Sequence, residues 1–444
     1  MVKRFLTAAL AVALLPSLSY AQQATEGGGK SVEAFSVDDI KVILAPADNE
    51  LVSIIVGMEG GLATGETDNP ALGNFTADLI TSSGSSEYSK DDLRRFLSRT
   101  STRLGGGADH LGIRYSMTST RSRFNEAWNV LSSLIREPLY DEVEYRNMMQ
   151  RRVAQAQGSW SNPESYAFRM ADSLVKINHP YIARYTYEED LEGVTIPKIR
   201  DFQKKLSERS RLFVVVVGNV SKDEITKKLR DFSGWPKGNY NLPTIPDIKP
   251  QSTPSMSVVN MPDKPTTYIF AGFAGPSAND KEYWPLAVGL SYLRTVLFRE
   301  IRTKRNLSYA PFAFQNNSYG KAMGVIGVST VWPDSSMNIM LHEMQNMRDG
   351  NFESEELEKA KQVYITNYYF REMTNAGKAN SIYFAERYNG GWKAAFSYDE
   401  IQHVDKSAVQ QAFEKYARNL QVGIVGVEDK VTPARFRYAN EMPN

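Results

Sequence analysis

Cysteine is missing from all 444 residues, and histidine occurs four times only, at His110, His179, His342 and His403. Without cysteine there is no disulfide framework, thiolate metal site or thiol nucleophile. The few histidines are as restrictive, because no two lie three or four positions apart, so no helix can aim two imidazoles at one metal ion. His342-Glu343-Met344-Gln345-Asn346 opens like H-E-x-x-H but closes on Asn, and His342 reads as a helix-surface residue. Excess basic charge is absent too: 52 Lys and Arg against 51 Asp and Glu leave a net charge of +1, with nothing to neutralise the phosphates of a nucleic acid. No Gly-x-Ser-x-Gly elbow supports a serine hydrolase, and no Gly-Lys-Ser/Thr follows Gly105-Gly106-Gly107 to make a phosphate loop. Beyond the N-terminus, no apolar run is long enough to span a bilayer.

What is present is an ordinary globular composition, 42% hydrophobic and 23% charged, with room for two or three domains. The first 21 residues have the layout of a secretory signal peptide. Lys3 and Arg4 are followed by an apolar run from Phe5 to Leu15, then by Ser19-Tyr20-Ala21 as a cleavage site. An exported chain without cysteine suits a bacterial periplasm.

The remainder repeats itself. Leu111, Ile113, Tyr115 and Met117 alternate as a half-buried strand, followed by an amphipathic helix with Phe124, Ala127, Trp128, Leu131, Leu134 and Ile135 on one face. In the second half a strand over Met323 to Val331 precedes a helix with Met337, Met340, Leu341, Met344 and Met347 at the same spacing. A longer helix follows each, over Glu142–Gln157 and Glu355–Arg371. Each half closes on a strand and a Gly turn, Leu212–Gly218 and Val422–Gly426, and Leu72–Leu79 corresponds to Leu286–Leu293. Ser221 and Glu224 form a capping-box pattern. Prolines 236, 243, 246, 250 and 254 mark a linker. The pattern predicts an α+β protein of two similar domains, 22–233 and 257–444, joined by 234–256, each an antiparallel sheet backed by helices.

One helix start carries the informative motif. Leu72-Gly73-Asn74-Phe75-Thr76-Ala77-Asp78 resembles the Gly-x-His-Phe-x-Glu-His motif of the pitrilysin/insulinase family of zinc metallopeptidases, with the frame residues Gly73 and Phe75 kept. The two His positions read Asn74 and Asp78, and the Glu position, the general base, reads Ala77. Further marks of the resemblance are Asn162-Pro163-Glu164 and His179-Pro180-Tyr181. The family's third zinc ligand is a Glu on the long helix. Here Arg151-Arg152-Val153-Ala154-Gln155-Ala156-Gln157 has none, and Gln155 or Gln157 takes its place. The resemblance therefore implies no zinc on this chain.

The second half holds Arg302-Thr303-Lys304-Arg305-Asn306-Leu307-Ser308-Tyr309, which resembles the family's Arg-Thr-Lys-x-x-Leu-x-Tyr segment, with Asn306 where many relatives carry Gly. In the family that Arg and Tyr reach over the zinc site of the opposing domain. A guanidinium and a phenol are suited to binding a scissile carbonyl and its oxyanion. The resemblance thus implies a non-catalytic, periplasmic subunit of a two-chain peptidase. Arg302 and Tyr309 would complete the zinc site of a homologous H-x-x-E-H partner acting on unfolded peptides. A second copy of this chain would supply no ligands. Gly105, Gly106 and Gly107 read as a bend before a strand, either a plain turn or the place where a peptide adds to a sheet edge. The aromatic residues Tyr364, Tyr368, Tyr369, Phe370, Tyr383, Phe384 and Tyr388 read as core, or as a wall for apolar peptide side chains. The competing reading is a peptide-binding or structural scaffold; a self-sufficient hydrolase ranks last.

Overall fold

The computed structural model describes residues 32–180, 186–318, 320–397 and 399–432. The signal-peptide segment and Tyr181 lie outside them. Among the described residues eleven strands form two sheets. The first contains β1 (Glu33–Val37), β2 (Ile40–Ala45), β3 (Leu51–Glu59), β4 (Arg103–Asp109), β5 (Gly112–Thr120) and β6 (Leu212–Gly218), in the order β1-β2-β6-β3-β5-β4. The second contains β7 (Ser255–Asn260), β8 (Thr267–Ser277), β9 (Phe312–Ser318), β10 (Lys321–Thr330) and β11 (Gln421–Gly426), in the order β7-β11-β8-β10-β9. Apart from β1, the two orders are the same path drawn twice. β1 is a hairpin addition turned by Asp38 and Asp39, whose φ values of 47° and 72° make the left-handed turn that suits paired strands.

Both sheets are mixed rather than purely antiparallel. β2 pairs β6 in parallel and β7 pairs β11 in parallel. Each parallel pair joins the first and last core strands of its half, and the intervening helices serve as the long crossover such a pair requires. The α+β class stands.

Ten of the helices repeat in step with the strands. The first half has α1 (Leu72–Ser83), α2 (Phe124–Arg136), α3 (Glu142–Ser161), α4 (Pro163–Val175) and α5 (Ile196–Leu206). The second has α6 (Tyr283–Leu297), α7 (Pro333–Asp349), α8 (Ser354–Glu372), α9 (Asn375–Tyr388) and α10 (Lys406–Tyr416). On one face of the first sheet, Ile54, Val56, Tyr115 and Val214 pack with Phe75, Trp128, Leu131 and Ile199. Ile269, Ile326 and Ile424 do the same in the second sheet with Leu290, Met340 and Phe413.

The opposite faces are covered by exchange. Ile43, Ile55, Val215 and Val217 of the first sheet meet Ala379, Ile382 and Tyr383 of α9, a helix from the second half. Phe270, Val325 and Val425 of the second sheet meet Ala167, Ala171 and Val175 of α4, from the first half. Tyr383 stacks on Phe213 at 4.8 Å with the rings 13° apart. α4 lies so close to β11 that a Cβ on Gly423 would stand 2.2 Å from the Ala167 carbonyl oxygen. Double coverage explains why Leu212–Gly218 is buried throughout, as an unbroken apolar run requires. At the start of α4, Asn162 accepts the Ser165 amide at 3.0 Å and Pro163 takes the first helical position. Ser221 caps its helix through the Glu224 amide, while the Glu224 carboxylate turns away to Arg121, so the capping box is half formed.

Candidate functional site

α1 lies flat against the edge strand β4, and small residues allow it. A Cβ on Gly106 would stand 2.4 Å from the Ala77 carbonyl oxygen, so glycine is required there for helix and strand to touch. Gly105, Gly106 and Gly107 are therefore not a bend before a strand but the middle of β4, paired with Ser116, Tyr115 and Arg114. Strand β4 is an edge, with its outer rim unpaired by any strand among the described residues.

The three degenerate positions follow from this placement. Asn74 bends over the rim, and its Oδ1 accepts the Ala108 amide of β4 at 2.9 Å. Ala77 is buried against β4. Asp78 pairs with Arg152, which reaches across from α3. Burial pushes the Asp78 carboxyl above its ordinary pKa, and the Arg152 guanidinium opposes that shift. Asn74, Arg152 and Gln155 line one cavity of about 360 Å³, with His110 contributed by the β4–β5 hairpin. Gln155, rather than Gln157, faces Asn74 across that space, since Gln157 donates to Glu188 at 3.0 Å. The residues present do not fit zinc. An amide is spent on a strand, a guanidinium stands beside the carboxylate, and no group of three ligand-type side chains comes together among the described residues. Burial, with Lys176 nearby, holds His110 down to about 4, so its imidazole is neutral near pH 7.

Arg302 and Tyr309 come together elsewhere, and neither lines that cavity. α6 runs into a π turn over Phe298–Thr303, which carries Arg302. The turn closes on Asn306, whose φ of 51° is left-handed. Glycine takes that conformation freely, and Asn is the next most tolerant residue. The Arg302 guanidinium lies 3.9 Å from the Tyr309 ring centroid and donates to the Tyr309 carbonyl at 2.7 Å. In the same π turn Glu300 is buried and ion-paired with Lys304 and Arg305 at 2.8 Å each, with Arg299 at 3.1 Å; these bring its carboxyl down to about 2. Tyr309 is 77% exposed. Sequence reasoning missed Arg152 as the partner of Asp78 and His110 as a lining residue of the same cavity. The signal for Arg152 was available, an Arg one helical turn before Gln155.

His342 is exposed on α7, and His179 follows α4 with its Nε2 2.8 Å from the Pro246 carbonyl oxygen. Of the aromatic residues singled out, Tyr383 is buried core, whereas Tyr364, Tyr368, Phe384 and Tyr388 line a second cavity in the other half.

The comparisons agree with this architecture. Residues 193–364 match the family model described as the Peptidase M16 inactive domain. That stretch is thus similar to an inactive domain of the M16 peptidases, the pitrilysin/insulinase family that the chain's motifs resemble. The fold is similar to that of a peptidase M16 inactive domain from Pseudomonas fluorescens, with 16% identity, a TM-score of 0.80, and 90% of this chain aligned to 98% of that one. It is also similar to the periplasmic protease PqqL of Escherichia coli, at 13% identity and a TM-score of 0.74, where 94% of this chain aligns to 49% of that one. A chain of complex III2 from Candida albicans aligns over 92% of this chain and 99% of its own length, with 13% identity and a TM-score of 0.72. No curated protein matches the sequence.

Proposed function

We propose that this chain is the non-catalytic subunit of a periplasmic two-chain metallopeptidase, completing a partner's zinc site with Arg302 and Tyr309. The observation that carries the reading is the contrast between the two sites. The zinc positions of this chain are filled by contacts of its own, while Arg302 and Tyr309 are held as a unit on the surface. The partner supplies both His ligands, the Glu ligand and the general base, and Arg302 and Tyr309 bind the scissile carbonyl and stabilise its oxyanion. Peptide adds along the glycine run of the β4 edge by main-chain hydrogen bonds, a mode that accepts varied sequences. A periplasmic setting is favoured by the leader-like N-terminus and by the location of PqqL. Among the described residues no helix is long and apolar enough to cross a membrane.

The deciding experiment is recovery of the tagged chain from its host periplasm, with chelator-sensitive cleavage of a quenched peptide as the readout. Activity in the recovered complex, and none from the chain made alone, is the expected result. A second reading, a structural or peptide-binding scaffold, draws on the likeness to a chain of the multi-subunit complex III2. It predicts a recovered partner without a zinc motif and no cleavage.

A further inference from the structure

The second cavity occupies, in the second half, the place that the altered zinc site holds in the first. It lies between α6, α8 and the edge strand β9, the counterparts of α1, α3 and β4. It is the larger of the two, about 640 Å³, within the range of small-molecule sites. Its lining includes Trp284, Phe314, Tyr364 and Phe384. Among the described residues its lining includes no Asp, Glu or Lys but two arginines, Arg294 from α6 and Arg371 from α8. In a chain whose charges otherwise nearly cancel, that is a one-signed site.

Both arginines are solvent-exposed, and among the described residues no carboxylate pairs with Arg294. Arg371 lies over the Tyr368 ring at 5.6 Å, and its nearest acid, Glu372, stands 3.9 Å from its Nε while accepting a hydrogen bond from Ser381. Burial pushes the Tyr283 phenol up to about 12 and raises that of Tyr364, so neither offers a phenolate to offset the cations near pH 7. Asn389 also lines the cavity, and its buried Oδ1 has no hydrogen-bond partner among the described residues.

We infer that this cavity is a binding site for a carboxylate with an aromatic body, such as an N-acyl aromatic amino acid or the aromatic C-terminal residue of a peptide. The ring enters among Trp284, Phe314, Tyr364 and Phe384, and the carboxylate meets Arg294 and Arg371. This site is independent of Arg302, Tyr309 and any zinc-bearing partner.

The test is calorimetric titration of the full mature chain with N-acetyl-L-phenylalanine and its methyl ester, and with a short acetylated peptide ending in phenylalanine, as acid and as C-terminal amide. Each acid should bind saturably and its neutral counterpart at least about tenfold more weakly, the loss expected for a charge-assisted bidentate contact. Arg294→Gln and Arg371→Gln should each weaken the acid about fivefold or more and leave the ester unchanged; both residues are exposed, so folding is expected to survive. Equal binding of acid and amino-acid derivative ester, or no saturation by either acid up to ~10 mM, overturns the assignment. With the assignment standing, equal affinity of amino acid and peptide points to a free small carboxylate, and a tenfold advantage for the peptide points to a chain end. Because the acid–ester comparison uses the unaltered chain, misfolding of a variant cannot decide the outcome.

Discussion

The Arg302 guanidinium lies against the Tyr309 ring at 3.9 Å and holds the Tyr309 carbonyl at 2.7 Å, so the two side chains form one surface unit. If they act in a partner's site, Arg302→Ala in the reconstituted pair lowers kcat by about 10² to 10³, the loss typical of one oxyanion donor. Arg302→Lys recovers little, since an ammonium offers neither the flat stacking surface nor the fixed fork. The affinity of the two chains for each other, measured separately, should change far less than turnover. Unchanged turnover in Arg302→Ala removes the assigned role.

The left-handed Asn306 gives a stability prediction free of catalysis. With φ at 51°, Asn306→Ala costs about 1 kcal/mol, and Asn306→Gly is near neutral. Urea unfolding of the three proteins measures both.

Gly106 and its neighbour Gly105 separate packing from strand propensity. Gly106→Ala places a methyl 2.4 Å from the Ala77 oxygen and is expected to destabilise by about 2 kcal/mol or more. At Gly105 the nearest atom is 3.5 Å away, and Ala should be neutral or slightly stabilising. A similar loss at both positions refutes the helix-on-strand account.

Restoring the motif letters alone should not restore a metal site. The triple substitution N74H, A77E and D78H removes the carboxylate that neutralises Arg152 and leaves its guanidinium facing the new ligands. Stoichiometric zinc by elemental analysis is expected only when Arg152→Ala and Gln155→Glu are added. Zinc in the triple variant would show that Arg152 does not control the site.

Glu300 gives the pH dependence. Its three cationic neighbours bring the folded pKa to about 2, below the ordinary 4.5 of the unfolded chain. A depressed carboxyl stabilises the fold above the unfolded value, and that stabilisation is lost as pH falls from about 4.5 toward 2. Glu300→Gln should cost about 2 kcal/mol at neutral pH and flatten this part of the acid-unfolding profile. A parallel profile in the variant would count against it.

The duplicated order of elements was legible because periodicity is local. The alternation from Leu111 to Met117 and the Met stripe of α7 each state which side is apolar. Partner choice is not local. The apolar residues of α4 and α9 declare a buried face without naming the sheet that buries it, so the exchange was invisible. The parallel pairs were hidden for the same reason, since β2 and β6 meet across more than 160 residues. At the α1 site the departures from the resembled motif could be read directly, whereas the pairing of Arg152 with Asp78 required two helices to be set side by side. Gly105 to Gly107 misled because glycine signals a bend by propensity, whereas these residues are extended strand and Gly106 serves closeness to α1.

The helix exchange has a consequence for inheritance. With α4 under the second sheet and α9 under the first, each half completes the core of the other. A cut in the proline-rich stretch between them should leave two fragments that stay together, and neither should fold when made separately. A lineage carrying such a clasp cannot discard one half when its chemistry lapses. The first half can lose its catalytic letters and still be kept, because the second cannot stand without it.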